Sequence, residues 1–393
     1  MTAGAVRTQV GIVGAGPAGL LLAHLLGLEG IESVVLERQT RSHIEHRVRA
    51  GLLEPGTVDL LTASGVGDRL AREALVHEGI QLQSDSERHR LAITQLTGAS
   101  LYVYGQQEVV KDLLAARDAS GGPLHFEVED VELHDLTGPE PRITYRHEGA
   151  GHELRCEVIA GCDGWHGVSR PSVPPGALQL YRRTFPFAWL GILAAVRPSV
   201  EELVYVRHDR GFALHSMRSQ QLSRLYLQVP AGTSLEGWSD LRIWEELQTR
   251  FRLPGWRLEE GPIVERSVAE QHAFVATPMR WGNLVLAGDA AHIVPSTGAK
   301  GLNLAVNDVR LLAPAIVDHL RRGRSTGLDE YTRIALRRVW RAQEFSNQMT
   351  TLLHRLSDDP WELELQRARL RQIRTSPHMA RVFAENYAGV APV

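Results

Sequence analysis

A glycine-rich turn between two short apolar strands is the feature that most constrains how this chain can fold. The turn reads GAGPAG over residues 14–19 and follows an apolar segment at 8–13. A leucine-rich helix then continues to about Gly30, and a second strand, SVVLER, ends at Glu37. Together these segments predict the βαβ unit that binds dinucleotides, with the pyrophosphate at the helix N-terminus.

Each glycine of the turn has its own role in this interpretation. Gly14 permits the tight turn, Gly16 lets the backbone approach a pyrophosphate, and Gly19 lets the helix pack closely on the strand. Glu37 lies roughly 20 residues further on, where its carboxylate can accept hydrogen bonds from both ribose hydroxyls. The strand, the helix and this acidic residue make the motif far more specific than a lone glycine pattern.

A second segment, LVLAGDAAHIVPSTGAKGLNLAVND at 284–308, has the pattern of a flavin-binding site. Its first residues predict a buried strand, and Asp289 follows where a carboxylate can accept a hydrogen bond from a ribityl hydroxyl. Backbone N–H groups between Gly298 and Asn303 would begin a helix and face the edge of an isoalloxazine. The two segments together predict that the dinucleotide is FAD.

The bulk properties exclude several classes of partner. The 393 residues carry a formal net charge of -3, with 43 basic and 46 acidic side chains, so nucleic acid is not an expected partner. Cys156 and Cys162 are the two cysteines, too few for a disulfide framework or a zinc site. No apolar run reaches the roughly 18 residues that a membrane span needs. We therefore expect a cytoplasmic protein with no metal and no membrane partner.

The hydrophobic periodicity predicts where helices and strands alternate. An antiparallel sheet is expected from Phe185 to Val229, and almost continuous helix from Asp308 onward. The other predicted elements are helices at 58–70 and 103–118 and strands at 143–146 and 153–160.

These elements predict a mixed α/β fold in which domains are interleaved. A Rossmann-like FAD-binding domain is expected over residues 1–180, with an inserted part of the substrate domain near 75–100. An antiparallel-sheet substrate domain follows at 181–275. The chain then returns to the FAD domain and ends in a helical C-terminal region over 276–393.

A third segment, CEVIAGCDGWHGVSR at 156–170, completes a family pattern. In the order GAGPAG, CDG and LAGDAAH, the segments resemble the single-component flavin-dependent aromatic hydroxylases, in which all three surround one FAD. The similarity extends over nearly the whole chain, through stretches such as RAGLLEPGTVDLL, YGQQEV and DRGFALHSMRS. These stretches resemble the members that hydroxylate 4-hydroxybenzoate at the 3-position to give 3,4-dihydroxybenzoate.

The resemblance also implies the chemistry and the partners. FAD is reduced by NADH or NADPH, reacts with O2 to a flavin C4a-hydroperoxide, and delivers one oxygen atom to an aromatic acid beside its phenolic hydroxyl. The cofactor performs the redox chemistry, while the protein positions and polarises the reactants. The family further implies a homodimer.

The motifs and the resemblance together give a set of expected cofactor contacts. Arg49 is expected to hold the pyrophosphate, and Arg224 resembles the residue that stabilises the buried position of a flavin that swings between two positions. The full set is Gly14, Gly16, Pro17, Ala18, Gly19, Glu37, Arg38, Arg47, Arg49, Gln106, Asp163, Arg224, Asp289, Gly298, Leu302 and Asn303.

An aromatic acid needs a group that binds its carboxylate. Ser216 and Arg218 are two residues apart, so on a strand both side chains point to one face, and a guanidinium can hold a carboxylate through two parallel hydrogen bonds. Tyr226 on the next strand would add a third donor. That Tyr226 shares the face is implied by the family and not by local spacing.

The phenolic end of the substrate has to approach the phenolate state, because electrophilic oxygen attacks an electron-rich ring. Moving a phenol pKa from about 10 towards 8 takes roughly 3 kcal/mol of differential stabilisation. The resemblance assigns Tyr205 as the hydrogen-bond partner of the phenol, Tyr387 as a relay behind it, and His77 as the outer end of that relay.

Three further residues lie in the loop beside the expected flavin ring. Ser296 stands where the family pattern has proline, and it is expected to contact the substrate hydroxyl. Serine does not fix φ as proline does, so loop rigidity is the property in question. Thr297 is expected near flavin and substrate, and Lys300 is expected to add positive potential that favours reduced flavin.

NAD(P)H has no βαβ unit of its own in this chain, so it is expected to dock on the surface of the flavin domain. The resemblance places His43 and Glu45 near the ribose and His166 and Arg170 near the pyrophosphate. A carboxylate at Glu45 would repel a 2′-phosphate. We therefore expect NADH to be preferred, or to be used alongside NADPH.

Two other readings stay open from the sequence. A related hydroxylase of 3,4-dihydroxybenzoate or 4-aminobenzoate would need the same carboxylate-binding residues. A sensor that binds FAD and an aromatic acid without turnover would not need Tyr205, Tyr387 and Lys300.

Overall fold

The glycine turn and its flanking elements fold as a βαβ unit in the computed structural model, which describes residues 6–47, 49, 51–84 and 87–390. The strands Val10–Val13 and Ser33–Leu36 are parallel neighbours in one sheet, and the helix Pro17–Leu28 connects them along the chain. Gly14 has a φ of 104°, and a Cβ at this position would lie 2.5 Å from the carbonyl oxygen of Cys162. This turn therefore requires glycine for both conformation and space.

The βαβ unit belongs to a mostly parallel sheet whose strands come from distant parts of the chain. The edge strand Arg280–Trp281 pairs antiparallel with Leu284–Leu286, and all other neighbouring strands of this sheet pair in parallel. In order across the sheet the strands are Arg280–Trp281, Leu284–Leu286, Val158–Gly161, Val10–Val13, Ser33–Leu36 and Leu124–His125.

A second, largely antiparallel sheet contains the long strands predicted in the middle of the chain. One of its faces packs against the helix Asp240–Arg250 through fully buried side chains such as Leu190, Leu227 and Leu247. In order across the sheet the strands are His292–Ile293, Ile263–Thr277, Gln179–Ala194, Leu222–Pro230, Ala213–Ser219, Val204–Val206, Ile80–Ser84 and Glu87–Leu91. This sheet therefore draws on residues from 80 to 293.

Two smaller sheets complete the β-structure of the described residues. The first has the order Val6–Arg7, Ala150–Arg155, Arg142–His147 and Glu129–His134. The second has the order Leu52–Leu53, Leu101–Val103 and Leu75–His77.

The helices surround the parallel sheet and form the C-terminal region, as predicted from Asp308 onward. The helix Pro17–Leu28 packs against both Gln106–Ser120 and Gly301–Arg322. Across the described residues, no helix combines the length and the apolar character that crossing a bilayer requires. The remaining helices are Arg41–His46, Pro55–Ala63, Asp68–Glu73, Ile93–Thr97, Thr326–Leu353, Pro360–Thr375 and Pro377–Ala388.

Two of the predicted helices have different bounds in the structure. The helix expected at 58–70 ends at Ala63, because Gly65 adopts a φ of 83° and a separate short helix follows. The helix expected at 103–118 begins three residues later, since Leu101–Val103 is a strand that pairs with two neighbours.

The single strand predicted at 153–160 is wrong. It divides into Ala150–Arg155 and Val158–Gly161, which lie in different sheets. Cys156 and Glu157 connect the two, and their backbone N–H groups bond to Pro141 and Gln9 instead of continuing one ladder.

Candidate active site

Two cavities are joined at the carboxyl ends of the parallel strands. The first, which we call the dinucleotide cavity, has a volume of about 430 Å³ and is lined by Gly14, Gly16, Glu37 and Asp163, among others. The second, the sheet cavity, has a volume of about 520 Å³ and lies over the antiparallel sheet. The residues that line both are Arg47, Arg49, Gln106, Asp289, Gly301 and Leu302. Volumes of this size suit a cofactor and a small ligand side by side.

The dinucleotide cavity fits a pyrophosphate at the N-terminus of the helix Pro17–Leu28. A Cβ added to Gly16 would have no heavy atom within 4 Å, so the space beside this residue is open. No side chain caps the helix at Gly16, which leaves its first N–H groups available. An anion there would be stabilised by these donors and by the helix dipole. Pro17, Ala18 and Arg38 also line this cavity, whereas Gly19 packs against the backbone of Gly14.

Two buried carboxylates offer acceptors to hydroxyl groups in the dinucleotide cavity. The Glu37 carboxylate accepts hydrogen bonds of 2.8 Å from the backbone N–H groups of Ala15 and Gln39, which fix its position at the turn. Asp163 Oδ2 accepts from the N–H and the hydroxyl of Ser169, but the buried Oδ1 has no partner. Burial raises the pKa of Asp163 above its usual value. A hydroxyl-bearing ligand would satisfy this unpaired oxygen.

Arg47 and Arg49 place two positive charges where the cavities join. Burial and the neighbouring Arg49 lower the pKa of Arg47. The Nη1 atom of Arg49 lies 3.4 Å from Asp289 Oδ2 and balances one of these charges only in part. A bound anion would relieve the repulsion between the two guanidinium groups. The other positions of the 47–51 segment, 48 and 50, lie outside the described residues.

The pairing register of the antiparallel sheet brings the expected substrate residues to one face. Tyr205 is opposite Leu214, and Leu214 is opposite Tyr226 on the next strand. Ser216 is opposite Arg224 in the same pair of strands. Because directly opposed residues share a face, all of these side chains point into the sheet cavity, which they line. Tyr226 therefore does share the face of Ser216.

Arg218 lines the sheet cavity without a counter-ion among the described residues. Its Nη1 donates to the Met217 carbonyl at 3.0 Å and lies 3.4 Å from Ser216 Oγ. Its Nε and Nη2 are buried and have no partner. Burial lowers the pKa of Arg218 below its usual value. A carboxylate ligand would provide the missing charge and acceptors.

Arg224, in contrast, is already paired. Its guanidinium bonds to Glu265 at 2.9 Å and to Ser267 at 3.2 Å. A Cβ at Gly191 would lie 2.8 Å from Arg224 Nη2, so the missing side chain at Gly191 makes room for this arrangement. Arg224 is thus fixed at the wall of the sheet cavity and is not free to hold a carboxylate there.

The two tyrosines assigned to the relay are in contact. The hydroxyl oxygens of Tyr205 and Tyr387 are 2.7 Å apart, and either can be the donor. Both side chains are fully buried, and burial raises both pKa values well above the usual one for tyrosine. Tyr205 lines the sheet cavity and Tyr387 lies behind it. One hydrogen bond therefore connects the hydroxyl at the cavity with a second hydroxyl behind it.

Lys300 is buried in a network that joins the cavity to the C-terminal helix. Its Nζ donates to Glu54 Oε1 at 2.6 Å and to the carbonyl of Tyr387 at 2.7 Å. The other oxygen of Glu54 pairs with Arg338. Lys300 and Arg338 therefore share one carboxylate, while burial lowers the pKa of Lys300 below its usual value.

Several expected site residues lie outside both cavity linings. The Thr297 hydroxyl is 3.0 Å from Thr350 Oγ1, and Gly298 packs on Ser346. The Asn303 amide is used up by Glu54, Thr57, Leu52 and Ala299. The contacts of Thr297, Gly298 and Asn303 thus hold the loop and the first turn of the next helix in position.

Ser296 and His77 differ in how they relate to the sheet cavity. Ser296 is exposed and lines it, and its N–H donates to Gln271 Oε1 at 3.4 Å, a bond that proline could not make. His77 is buried, neither ring nitrogen has a partner, and burial lowers its pKa to about 4. The structure does not bring His77 to the tyrosine pair.

Two of the four residues assigned to the nicotinamide cofactor line a cavity, and the other two do not. His43 and His166 line the dinucleotide cavity. The guanidinium of Arg170 packs against the rings of Trp165 and Phe274 and donates to the carbonyls of Ala290 and Trp165. Two of its five N–H donors are thus engaged within the protein, and Arg170 is not among the residues that line the dinucleotide cavity. Glu45 pairs with Arg41, which also bonds to Asp118.

Other residues of the site gave no signal in the sequence. Trp189 and Gln271 line the sheet cavity from neighbouring strands. The alternating pattern of these strands could have placed them on one face, but not at a ligand. Glu54 and Arg338 are 284 residues apart in the chain, and nothing local connects them. In the described part of the chain, no cluster of side chains has the makings of a metal site.

Comparisons with known proteins agree on the cofactor. The model of the family described as FAD binding domain matches residues 7–346. A p-hydroxybenzoate hydroxylase from Acinetobacter baylyi is 44% identical over 98% of this chain and 96% of its own length. A 3-(3-hydroxy-phenyl)propionate/3-hydroxycinnamic acid hydroxylase from Mycolicibacterium gilvum is 26% identical over 76% of this chain, which spans about half (52%) of that relative.

The fold itself recurs in a solved structure of low sequence identity. The crystal structure of a p-nitrophenol 4-monooxygenase from Pseudomonas putida superposes with a TM-score of 0.82 at 20% identity, and covers 98% of this chain and 100% of the other. The mixed α/β architecture with interleaved sheets is therefore confirmed.

Replacing Arg218 by alanine should weaken binding of an aromatic acid by roughly 2 to 5 kcal/mol, because a buried carboxylate would lose its counter-charge. Titration of the FAD-loaded protein with 4-hydroxybenzoate, followed by flavin absorbance, measures this change. Arg197→Ala is the matched control, since Arg197 is exposed and pairs with Glu259 away from both cavities. Near-normal affinity of Arg218→Ala would contradict the assignment.

Proposed function

This chain belongs to the FAD-dependent aromatic hydroxylases, and we propose that it hydroxylates 4-hydroxybenzoate at the 3-position to give 3,4-dihydroxybenzoate. The observation that carries the proposal is one cavity lined by both an unneutralised guanidinium, Arg218, and a buried phenol, Tyr205. Arg218 is four residues along its strand from Leu214, which is opposite Tyr205. At about 3.3 Å per residue, four residues place the backbone of Arg218 roughly 13 Å along the sheet from the level of Tyr205. The two side chains therefore enter the cavity from different points and can meet opposite ends of a para-substituted benzoate.

The carboxylate end of the substrate would be held by Arg218, Ser216 and Tyr226. The guanidinium neutralises the charge, and two hydroxyl groups offer further donors. This contact orients the ring, so that the position beside the phenol faces the junction of the two cavities. Orientation of this kind converts a bimolecular encounter into a reaction of held groups.

Tyr205 would act at the phenolic end. The raised pKa of Tyr205 keeps this residue protonated, so that it can donate a hydrogen bond to the substrate oxygen and leave the negative charge on the substrate. The proton that the substrate releases can pass through the Tyr205 and Tyr387 hydroxyls. Lys300 and Arg338, which share the Glu54 carboxylate, would favour anionic groups nearby.

FAD is the cofactor, NAD(P)H is the co-substrate, and bound flavin supplies reduction and oxygen transfer. The side chains that would hold it are those of the dinucleotide cavity, with Glu37 and Asp163 for hydroxyl groups and Arg47 and Arg49 for the pyrophosphate. Asp289 and Leu302 line both cavities, where Asp289 would accept from a ribityl hydroxyl and Leu302 would meet the flavin ring. The walls of the joined cavities restrict water from the reacting atoms.

Two other functions are less favoured. A hydroxylase of 3,4-dihydroxybenzoate or 4-aminobenzoate would use the same carboxylate contact, but the 44% identical relative is a p-hydroxybenzoate hydroxylase. A sensor without turnover would not require the contact between Tyr205 and Tyr387, which binding alone does not use.

Three finer points belong to the same proposal. We take NADH to be preferred or used alongside NADPH. The guanidinium of Arg41 pairs with two carboxylates, those of Glu45 and Asp118, so negative charge would predominate where a 2′-phosphate would bind. The protein would work in the cytoplasm. It would form a homodimer, which the exposed Trp361, Met379 and Val382 of the C-terminal helices would help to stabilise.

Product analysis tests the reaction directly. Incubation of the FAD-loaded protein with NADH, O2 and a panel of benzoates should convert 4-hydroxybenzoate into 3,4-dihydroxybenzoate, detected by mass spectrometry as the gain of one oxygen atom. Flavin reduction in stopped flow should also be faster when 4-hydroxybenzoate is bound. Oxidation of NADH without any hydroxylated product would contradict the proposal.

Replacing Tyr205 by phenylalanine should leave 4-hydroxybenzoate binding within about threefold, since Arg218 still holds the carboxylate, but slow hydroxylation by roughly 10²-fold or more. The variant should release more hydrogen peroxide per NADH oxidised. Tyr331→Phe is a control, because its buried hydroxyl bonds to the Leu286 carbonyl and not to the relay. Equal coupling in Tyr205→Phe and the wild type would show that the tyrosine pair has no part in the reaction.

The cofactor preference can be measured as the ratio of kcat/KM for NADH to that for NADPH. We expect a ratio of one or more, and Glu45→Gln should shift it towards NADPH by removing a negative charge near the 2′-phosphate. A preference for NADPH of about tenfold or more, equivalent to 1.4 kcal/mol, would overturn this part of the proposal.

A further inference from the structure

A fully buried histidine lies where the long C-terminal helix meets the antiparallel sheet. His354 follows the last residue of the helix Thr326–Leu353, and its backbone N–H bonds to the Thr350 carbonyl at 3.0 Å. The His354 carbonyl accepts a 2.7 Å bond from Gln366. The next residue, Arg355, bonds through its backbone to both ends of the Gln228 amide on the sheet. The position of His354 is therefore fixed from both sides.

The hydrogen bonds of the His354 ring allow one tautomer. Nε2 is 2.8 Å from the indole Nε1 of Trp189, and Nδ1 is 3.1 Å from the carbonyl oxygen of Thr350. An indole N–H can only donate and a carbonyl oxygen can only accept, so Nδ1 carries the proton and Nε2 is the acceptor. Phe187 and Phe212 stack on the ring at centroid distances of 4.3 and 4.2 Å.

The indole of Trp189 forms part of the wall of the sheet cavity. It stands on the strand Gln179–Ala194, and its ring centroid is 4.9 Å from that of Tyr226. Because its N–H is engaged by His354, which lies outside the cavity lining, the indole turns its polar edge away from the cavity. The surface that faces a ligand is therefore carbon, and rotation would leave a buried donor without a partner.

We propose that His354 is a positioning residue that fixes the indole of Trp189 as the apolar wall of the sheet cavity, and thereby sets the affinity for the ring of the aromatic acid. The inference goes beyond the binding of carboxylate and phenol. It rests on the proposed function only in taking the sheet cavity as the aromatic-acid site. Discrimination between ring substituents then depends on a residue that touches no ligand.

His354 is neutral, and its Nε2 can accept the indole hydrogen bond, at all pH values near neutrality. Burial lowers its pKa to about 3, so the acceptor nitrogen stays unprotonated. No charged group is needed to hold the indole, and the effect of His354 on ligand affinity should not vary around neutral pH.

A double-mutant cycle with a conservative rescue tests the proposal. The readout is the Kd of 4-hydroxybenzoate for the FAD-loaded protein, together with the Kd of FAD. His354→Phe keeps a ring but removes the acceptor, and should raise the Kd of 4-hydroxybenzoate about tenfold or more while changing that of FAD less than about threefold. His354→Gln can accept from the indole and donate to Thr350, and should restore the affinity to within about threefold.

The Trp189→Phe background separates this role from a merely structural one. Without the indole donor, His354→Phe should change the Kd of 4-hydroxybenzoate less than about threefold. An equal loss in both backgrounds, or a Kd within about twofold of the wild type in the single variant, would overturn the proposal. If the single variant does not fold, the double variant should, because it has no unpaired donor; unfolding of both would equally overturn it.

The binding readout keeps this test apart from the test of turnover. Should the wild type bind benzoates but release no hydroxylated product, the proposed function fails while the cycle still decides the role of His354. Should none of 4-hydroxybenzoate, 3,4-dihydroxybenzoate, 4-aminobenzoate or benzoate bind the wild type, both proposals fail.

Discussion

The site depends on one guanidinium that is buried at a cavity without a counter-charge. Taking a cation out of water is unfavourable unless a partner replaces the lost hydration, and two donors of Arg218 have none. The pKa of Arg218 is lowered for this reason. The protein keeps the charge because Ser216 and the Met217 carbonyl hold one of its nitrogen atoms in place. On the proposed function, an anionic carboxylate would complete the arrangement by supplying the missing charge and acceptors.

The sheet that carries Arg218 has different surroundings on its two faces. One face is covered by the helix Asp240–Arg250 and belongs to a continuous apolar core. The other face carries Tyr205, Leu214, Ser216 and Tyr226 into the cavity. Because side chains alternate along each strand, a shift of one residue in pairing would exchange the two sets. The core on the far face therefore fixes the register that creates the ligand face.

The C-terminal helices close this cavity from behind and connect it to the cofactor side. Tyr387 reaches Tyr205 from the helix Pro377–Ala388, and its carbonyl accepts from Lys300. Lys300 comes directly before the helix whose first residues line both cavities. His354 reaches Trp189 in a similar way. The contacts of Tyr205, Lys300 and Trp189 with the C-terminal region thus all depend on how this helical region docks.

The sequence predicted much of this arrangement, but not all of it. The Gly14 turn and the strand before Asp289 have local signals, and the structure brings both Gly14 and Asp289 to the dinucleotide cavity. The contact between Tyr205 and Tyr387 came from family resemblance, since no local pattern connects residues 182 positions apart. The side chains of Arg170 and Asn303 bond to tertiary partners that no local pattern shows. Glu54, Trp189 and His354 went unnoticed, because buried partners decide their roles.

The most direct measurement of the central claim is a crystal structure of the FAD-loaded protein with 4-hydroxybenzoate bound. The account predicts the ligand carboxylate within hydrogen-bond distance of Arg218 and its phenolic oxygen at the Tyr205 hydroxyl, with the ring against Trp189. A ligand bound in the reverse orientation, or outside the sheet cavity with Arg218 still unpaired, would contradict it.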